Sequence, residues 1–288
     1  MSKKPEDQQE VDTTGHQWDG IEELNNPLPR WWLWCFYLTI IWGVGYTIAY
    51  PAWPMINRAT AGVIGYSTRA EVAEEIAAVE AANAPINARL EAAELTEVSA
   101  DAELMQYATS AGGAVFQTWC SQCHGSGGAG VQASGYPNLL DDDWLWGGDI
   151  ESIHHTIAHG IRDEEDLDSR YSEMPAFGDI LEEAEIASVV QYVQSLSGTP
   201  EDATVAVAGE EIYLDNCASC HGDAGLGDVE QGAPNLADAI WLYGGDTETL
   251  TETVTYSRYG VMPPWQDRLS EAEVRAVALY VHSRGGGQ

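Results

Sequence analysis

Two short stretches decide how this chain folds: residues 119–125 read WCSQCHG, and residues 216–222 read NCASCHG. In each, two cysteines flank a pair of other residues, and a histidine follows the second cysteine directly. The first cysteines of the two stretches, Cys120 and Cys217, are 97 positions apart (217 − 120 = 97). The chain therefore contains one chemical motif twice.

The sequence around the two motifs repeats as well. Pro-Asn-Leu at 137–139 recurs at 234–236, and WLWGGD at 144–149 recurs as WLYGGD at 241–246, at the same offset of 97. Positions that survive in both copies indicate what both copies need. We predict a duplicated domain, with a first copy over residues 108–198 and a second over 204–288.

A methionine-proline pair closes the matched region of each repeat. Met174 and Met262 are only 88 positions apart (262 − 174 = 88), so the first repeat holds nine additional residues (97 − 88 = 9), which we assign to the acidic loop 162–166. A helical pattern follows each pair, at 183–193 and 271–281. The second pattern opens with Ser270 and Glu273 at the spacing of a capping box.

Three kinds of site contain a Cys-x-x-Cys motif. A zinc ribbon places its second cysteine pair roughly 15 to 20 residues after the first, whereas Cys123 and Cys217 are 94 apart (217 − 123 = 94). A thioredoxin-type redox pair begins a helix within a βαβ unit, and this sequence has almost no strand pattern. Covalent haem attachment also explains the histidine, because the thiols add to the haem vinyl groups and the histidine turns under the iron.

The motif therefore predicts two covalently bound haem c groups. The residues expected to hold them are Cys120, Cys123 and His124 at the first site, and Cys217, Cys220 and His221 at the second.

The sixth iron ligand has two candidates in the first repeat, Met174 and His159. At an offset of 97, His159 falls on Tyr256, whereas Met174 matches Met262. One shared architecture therefore favours Met174 and Met262 as ligands. A neutral thioether favours Fe(II), which raises the reduction potential relative to a second imidazole.

An apolar run near the N-terminus predicts a transmembrane helix over residues 31–53. The run has no charged residue, about 20 helical residues span the hydrocarbon core, and its aromatic residues cluster at both ends. A cleaved signal peptide is the alternative, but the acidic, polar stretch 1–30 precedes the run where a short basic region would be expected. We predict a mobile tail for 1–30. Basic residues on both sides leave the orientation open.

Residues 54–107 are rich in alanine and glutamate and predict a helical spacer. Thr68 and Glu71 have the spacing of a capping box, and Pro85 interrupts the pattern, so we expect two short helices.

The net charge of −34, from 46 acidic and 12 basic residues, excludes a nucleic-acid-binding surface, because nucleic acid affinity depends on Lys and Arg. The charge fits a basic protein partner. The alternative is that the acidic residues serve solubility alone.

Several features outside the haem motifs point to one family. These are WDGI at 18–21, NNPLP at 25–29, the tryptophan-rich apolar run with PAWP at 51–54, and HGIR at 159–162 before MPAFG at 174–178. Together they resemble the FixP/CcoP family, the di-haem membrane-anchored subunit III of cbb3-type cytochrome c oxidase. The resemblance covers nearly the whole chain. It implies a mainly α fold, with one N-terminal transmembrane helix followed by two tandem class I cytochrome c domains.

The resemblance also implies a place and a role. The chain would cross the bacterial inner membrane once, in contact with lipid, with a cytoplasmic N-terminus and periplasmic haem domains. It would relay electrons from a donor cytochrome c to the mono-haem subunit and on to the haem-copper catalytic subunit of a proton-pumping oxidase. This chain would hold no oxygen-reducing centre of its own. Met174 and Met262 would be the sixth ligands; pairing within each repeat is the default expectation, and an exchange between repeats leaves the sequence unchanged.

Two other functions are compatible with a di-haem chain of this kind. One is a membrane-tethered carrier that serves another periplasmic reductase. The other is a di-haem peroxidase, which needs one iron with an open or exchangeable site. The duplicated methionine argues against the peroxidase.

Overall fold

The computed structural model describes residues 12–238 and 240–285, and the described chain is mainly helical. It divides into two compact units, residues 1–82 and 83–288, which are described separately.

The first unit begins with a two-stranded antiparallel hairpin. Strand β1 spans Thr13–Trp18 and β2 spans Ile21–Leu24, joined by Asp19 and Gly20, both with positive φ (48° and 83°). An Asp-Gly pair favours the tight turns that connect two strands. The tail predicted to be mobile over 1–30 thus contains a regular hairpin, while residues 1–11 lie outside the described part of the chain.

Helix α1 spans Arg30–Ala49 and is long enough and apolar enough to cross a membrane. None of its residues is buried within the described part of the chain. It ends four residues before the predicted limit at Trp53 (53 − 49 = 4), because Pro51 disfavours helical backbone in the residue before it and Tyr50 is extended.

Helix α2 spans Thr68–Ala92 without a break, so the prediction of two short helices is wrong. Pro85 lies inside it and removes one backbone hydrogen bond, a cost that the packing of Ile86 and Leu90 against the hydrophobic core offsets. The predicted capping box at Thr68 is also wrong, because Ala70 N–H donates to Ser67 Oγ (3.3 Å) and Ser67 is the cap.

Besides the end of α2, the second unit contains eight α-helices within the described residues, two of them one turn long, and three short 3₁₀ turns. The α-helices are α3 Ala102–Val115, α4 Ser121–His124, α5 Ile150–His159, α6 Glu183–Ser197, α7 Ala203–Asn216, α8 Ala218–His221, α9 Thr247–Tyr256 and α10 Glu271–His282. The 3₁₀ turns are Leu95–Ala100, Gln132–Ser134 and Phe177–Asp179, and a π-helical turn, Phe116–Cys120, leads from α3 into α4.

The helices predicted after each methionine are confirmed as α6 and α10. The capping box at Ser270 is also confirmed, because Glu273 N–H donates to Ser270 Oγ (3.4 Å) and Ser270 N–H donates to the Glu273 carboxylate (2.8 Å).

The helices pack across the boundary between the two repeats. Helix α3, which opens the first repeat, packs against α10, which closes the second, and α5 also packs against α10. Helix α6, which closes the first repeat, packs against α7 and α9 of the second. We call α3, α4, α5, α10 and the end of α2 the first lobe, and α6 to α9 the second lobe.

The short connection between α6 and α7 explains why the last helix of each repeat packs on the other repeat. Only residues 198–202 link the two helices, and a connection of this length makes sequential helices neighbours in space. The C-terminal helix of the first repeat therefore covers the second repeat. The predicted ranges 1–30, 31–53, 54–107, 108–198 and 204–288 stay predictions as domain limits.

The nine additional residues of the first repeat are 161–169. Helices α5 and α9 end at equivalent positions, His159 and Tyr256 (256 − 159 = 97), and Arg170 matches Arg258 at the offset of 88. The inserted segment therefore includes the predicted acidic loop and extends beyond it on both sides.

Candidate haem-binding site

Both cysteine motifs adopt the same local structure. In each, a helix leads into a single helical turn that ends at the histidine, α4 at His124 and α8 at His221. The loop after it folds back, so that Gly130 N–H donates to His124 O (2.8 Å) and Gly227 N–H donates to His221 O (2.9 Å). The structure thus brings two cysteines and a histidine together twice, as the motif predicts.

The histidine rings are oriented by backbone carbonyls. Nδ1 of His124 lies 3.3 Å from Pro137 O, and Nδ1 of His221 lies 3.0 Å from Pro234 O. A carbonyl oxygen only accepts hydrogen bonds, so Nδ1 carries the hydrogen and the lone pair stays on Nε2. A ligating histidine needs this arrangement, with one nitrogen held by the protein and the other free for a metal.

The same two histidines favour the neutral form, which an iron ligand requires. Burial lowers the pKa of both His124 and His221, against the opposing effect of the hydrogen bond to the proline carbonyl. A lowered pKa keeps the imidazole neutral at neutral pH, and only the neutral ring binds iron.

The thiols do not form an activated redox pair. All four motif cysteines are free, and burial, followed by the neighbouring thiol, raises the pKa of Cys120 and Cys217 to about 11. Redox-active Cys-x-x-Cys pairs have a lowered pKa instead. The local chemistry therefore argues against the thioredoxin-type alternative.

The Pro-Asn-Leu motif has a role that sequence reasoning missed. Its proline carbonyl is the acceptor that orients each histidine. The signal was present, since the proline follows the histidine by 13 positions in both repeats (137 − 124 = 13 and 234 − 221 = 13). Leu139 and Leu236, the last residues of the motif, pack against the hydrophobic cores of the first and second lobes, respectively.

Met262 belongs to the first lobe. It packs against the hydrophobic core that also contacts Cys120 and Leu139. Its backbone pairs with Ile161, through Ile161 N–H to Met262 O (2.9 Å) and Met262 N–H to Ile161 O (3.0 Å). Trp265, three residues later, donates to the last turn of α5. The methionine of the second repeat thus lies with the cysteine motif of the first.

The segment around Met174, although part of the first repeat, contacts the second lobe. The hydroxyl of Ser257, which caps α9, donates to Met174 O. The 3₁₀ turn Phe177–Asp179 packs against α9 and α6. The methionine of the first repeat therefore accompanies the second lobe.

The histidines of the α5 region are engaged by nearby groups. Nδ1 of His159 lies 3.1 Å from Asp166, and Nε2 of His155 lies 3.0 Å from Asp168 O. Nε2 of His154 lies 3.3 Å from Glu271. The contact of His159 with Asp166 uses Nδ1 and leaves Nε2 free, so the argument against His159 as an iron ligand stays the second repeat, where Tyr256 takes its place.

One buried N–H group, on the indole of Trp146, could donate to a hydrogen-bond acceptor from outside the chain. Trp146 Nε1 is buried without a hydrogen-bond partner among the described residues, and a buried unpaired N–H costs free energy. The indole ring presses against Gly232 of the other repeat, where a Cβ would overlap it. A haem carries two carboxylates that can accept from such a donor. With thiol pairs, imidazoles and thioethers as the donor set, the described residues fit a c-type haem.

Comparisons with known proteins agree with this geometry. The family model described as the N-terminal domain of cytochrome oxidase-cbb3, FixP, matches residues 10–57. The model described as cytochrome c oxidase, cbb3-type, subunit III, matches residues 108–193 and again 204–281. Two tandem domains of this kind imply two covalently bound haem c groups.

Similar proteins match along the full chain. A cbb3-type cytochrome c oxidase subunit CcoP of Cereibacter sphaeroides is 60% identical, with both chains covered completely. A subunit of the same name from Rhodobacter capsulatus is 56% identical, again over 100% of both chains. The FixP subunit of Sinorhizobium medicae is 51% identical over 96% of each chain. The chain therefore belongs to the FixP/CcoP family, subunit III of cbb3-type cytochrome c oxidase.

Proposed function

We propose that this chain is a membrane-anchored di-haem cytochrome c that relays electrons within a cbb3-type cytochrome c oxidase. The observation that carries the proposal is the pair of complete ligand sets: each lobe combines two cysteines and an oriented neutral histidine with one methionine segment. An iron with both axial positions filled has no open site for oxygen or peroxide. The function is then electron conduction, and this chain is a non-catalytic subunit.

The axial pairs in this proposal are crossed between the repeats. His124 and Met262 would hold the haem attached at Cys120 and Cys123, and His221 and Met174 would hold the haem attached at Cys217 and Cys220. The packing of Met262 in the first lobe and the bond from Ser257 to Met174 support this pairing over the within-repeat default.

Haem, when bound, supplies an iron that alternates between Fe(III) and Fe(II). The protein's own residues would keep the structural change between these two oxidation states small. The proline carbonyls hold the imidazole rings in one orientation, and the neutral thioethers favour the reduced state without adding charge.

Electrons would enter from a soluble or membrane-bound donor cytochrome c. They would leave to the mono-haem subunit and then to the haem-copper catalytic subunit, where the complex reduces oxygen and pumps protons. The lipid-facing helix α1 would cross the bacterial inner membrane, with the N-terminus in the cytoplasm and both lobes in the periplasm. The naming of the similar proteins as oxidase subunits supports the other subunits of the oxidase as partners.

Co-purification tests the place of the chain in a complex. After solubilisation in a mild detergent, an affinity-tagged chain is expected to carry copper and b-type haem with it, because both belong to the catalytic subunit. Metal analysis and a pyridine haemochrome spectrum measure them. A chain deleted of residues 12–53 is the control and should lose both. A full-length chain that purifies alone would favour the membrane-tethered carrier.

The acidic surface supports a basic electron donor. The inserted loop carries Glu164 and Glu165 in exposed positions, and Asp267 lies across a groove of about 530 Å³. Leu167, at the tip of the loop, is 99% exposed. An exposed apolar residue on a groove whose carboxylates outnumber its single arginine, Arg268, fits a partner whose contact surface is apolar and ringed by lysines.

Electron transfer from a basic soluble cytochrome c is therefore expected to depend on salt. Raising the ionic strength from about 0.01 to about 0.15 M shortens the Debye length from about 30 to about 8 Å, and the second-order rate should fall about tenfold or more. Stopped-flow mixing measures this rate. A rate that does not change with salt would mean that the charge of −34 serves solubility alone.

A pair of matched variants tests where the donor binds. The triple variant Glu164→Gln, Glu165→Gln and Asp267→Asn should slow the reaction by about threefold or more at low salt. The control removes the same number of charges from the exposed α2 residues Glu74, Glu75 and Glu80 and should leave the rate nearly unchanged. Equal slowing in both variants would mean that only the total charge matters.

A further inference from the structure

The segment inserted in the first repeat, residues 161–169, contacts both methionine segments. Its first residue, Ile161, exchanges two backbone hydrogen bonds with Met262. The second repeat has no counterpart of this segment, because Ser257 is followed directly by Arg258 where Gly160 is followed by the insertion. The insertion is therefore a structural element that serves the chain as a whole.

The side chain of Arg162 reaches the two methionine segments at equivalent points. Its Nε donates to Ser172 O (2.6 Å), and its Nη1 donates to Gly260 O (3.0 Å). Ser172 lies two residues before Met174, and Gly260 lies two residues before Met262. One guanidinium thus binds the equivalent backbone carbonyl in each copy of the repeat.

Further contacts hold Arg162 in this position. Its guanidinium lies over the ring of Tyr259, 5.4 Å from the centroid. Its backbone has a φ of 57°, in the left-handed region that a residue with a Cβ rarely adopts. Gly160, two residues earlier, has a φ of 73°, and a Cβ there would overlap Met262 O. Such conformations persist where the surrounding contacts compensate for their cost.

We propose that Arg162 is a positioning residue shared by both haem sites, which holds the Met174 and Met262 segments so that each thioether stays on its iron. The proposal rests on the ligation proposed above. A planar fork of donors can bind two carbonyls at once, whereas the ammonium of lysine is a compact charge at the end of a flexible chain. Because one side chain binds both segments, its loss should weaken both iron–sulfur bonds together.

The test compares Arg162→Gln and Arg162→Lys with the wild type in the full-length, haem-loaded chain. Carbon monoxide binds ferrous iron only after the methionine has left, so its binding rate reports the opening of each site. In Arg162→Gln we expect this rate to rise about tenfold or more over the full amplitude, that is, at both haems. Arg162→Lys should fall between wild type and Arg162→Gln. The long-wavelength charge-transfer band of Met-ligated ferric haem should weaken in the same order.

Arg275 provides the matched control. Its guanidinium also binds two backbone carbonyls, those of Leu90 (2.9 Å) and Ala93, but these lie at the end of α2. Arg275→Gln should lower the melting temperature without accelerating carbon monoxide binding. If it accelerates binding as much as Arg162→Gln does, general destabilisation is the cause and the proposal is wrong.

The remaining outcomes separate this proposal from the ligation it rests on. A wild-type chain without the charge-transfer band at either haem would overturn the ligation itself. A normal wild-type band with unchanged binding in Arg162→Gln, or with faster binding over only half of the amplitude, would overturn the shared role of Arg162 alone. If Arg162→Gln fails to incorporate haem, Arg162→Lys decides, and wild-type binding kinetics in that variant would contradict the proposal.

Discussion

Met262→Ala is expected to strip the sixth ligand from the haem attached at Cys120 and Cys123, although Met262 belongs to the other repeat. The physical reason is that Met262 packs in the first lobe and is paired there with Ile161. Alanine has no atom that can reach iron, so the loss of methionine ligation at this haem should be complete. Carbon monoxide should then bind this haem rapidly in the ferrous protein.

The measurement uses a chain that keeps only one haem. In the background Cys217→Ala with Cys220→Ala, only the first site can attach haem. Met262→Ala should abolish the Met-to-Fe(III) charge-transfer band in this background, and the matched variant Met174→Ala should retain it. Pairing within each repeat predicts the opposite result.

A second measurement covers the case in which the single-haem chain does not fold. In the ferrous di-haem chain, the methyl resonance of a ligating methionine is strongly shifted by the porphyrin ring. Assignment by substitution, followed by nuclear Overhauser contacts to the thioether bridges, identifies the haem above each methyl. Contact between the Met262 methyl and the bridge at Cys217 would refute the exchange.

Gly112→Ala is expected to destabilise the first lobe by about 3 kcal/mol or more, at the upper end of the range for overpacking a tight contact. Helix α3 crosses α10 at this glycine, and a Cβ there would overlap the backbone carbonyl of Ala276. A carbonyl within a helix cannot rotate away, so the two helices would have to separate. Urea unfolding followed by circular dichroism and by haem absorbance measures the change in the free energy of unfolding.

Gly113→Ala is the matched control on the same helix. Its Cβ would lie 3.2 Å from a ring carbon of Tyr280, a side chain that can turn aside. Both variants gain about 1 kcal/mol of helix propensity, so the difference between them reports the helix contact alone. Equal unfolding free energies for the two variants would mean that α3 does not pack on α10 as described.

The equivalent crossing in the second lobe should respond in the same way. Gly209 of α7 meets the carbonyl of Ser188 in α6, where a Cβ would also overlap. Gly209→Ala should therefore be as costly as Gly112→Ala. Similar costs at two glycines 97 positions apart (209 − 112 = 97) are expected because the two crossings are copies of each other.

Local chemistry in the sequence is enough to predict the haem attachment residues. Two thiols and an imidazole within five consecutive positions need no distant partner to come together, since one helical turn does it. The apolar run was recognisable for a similar reason, because the length of a helix is proportional to its number of residues. The hairpin at Thr13–Leu24 is hard to predict because its strands are fully exposed and only the turn residues Asp19 and Gly20 mark it.

Contacts between residues far apart in the sequence cannot be predicted from local patterns. Pro85 reads as a helix breaker, yet Ile86 and Leu90, just after it, pack against the core of the first lobe and keep α2 continuous. Arg162 reads as part of an acidic loop, and nothing in its neighbourhood along the chain indicates that it binds carbonyls at Ser172 and Gly260.

From its sequence alone, this chain is a duplicated di-haem cytochrome c with an apolar helix near its N-terminus, because each haem motif is local and occurs twice. The pairing of methionines with histidines depends on the folded chain. The two repeats carry equivalent methionine segments and equivalent C-terminal helices, so either segment has the residues to complete either site. In the proposed pairing, the choice comes from connection lengths: residues 198–202 bring α6 beside α7, and α10 is left to cover α3.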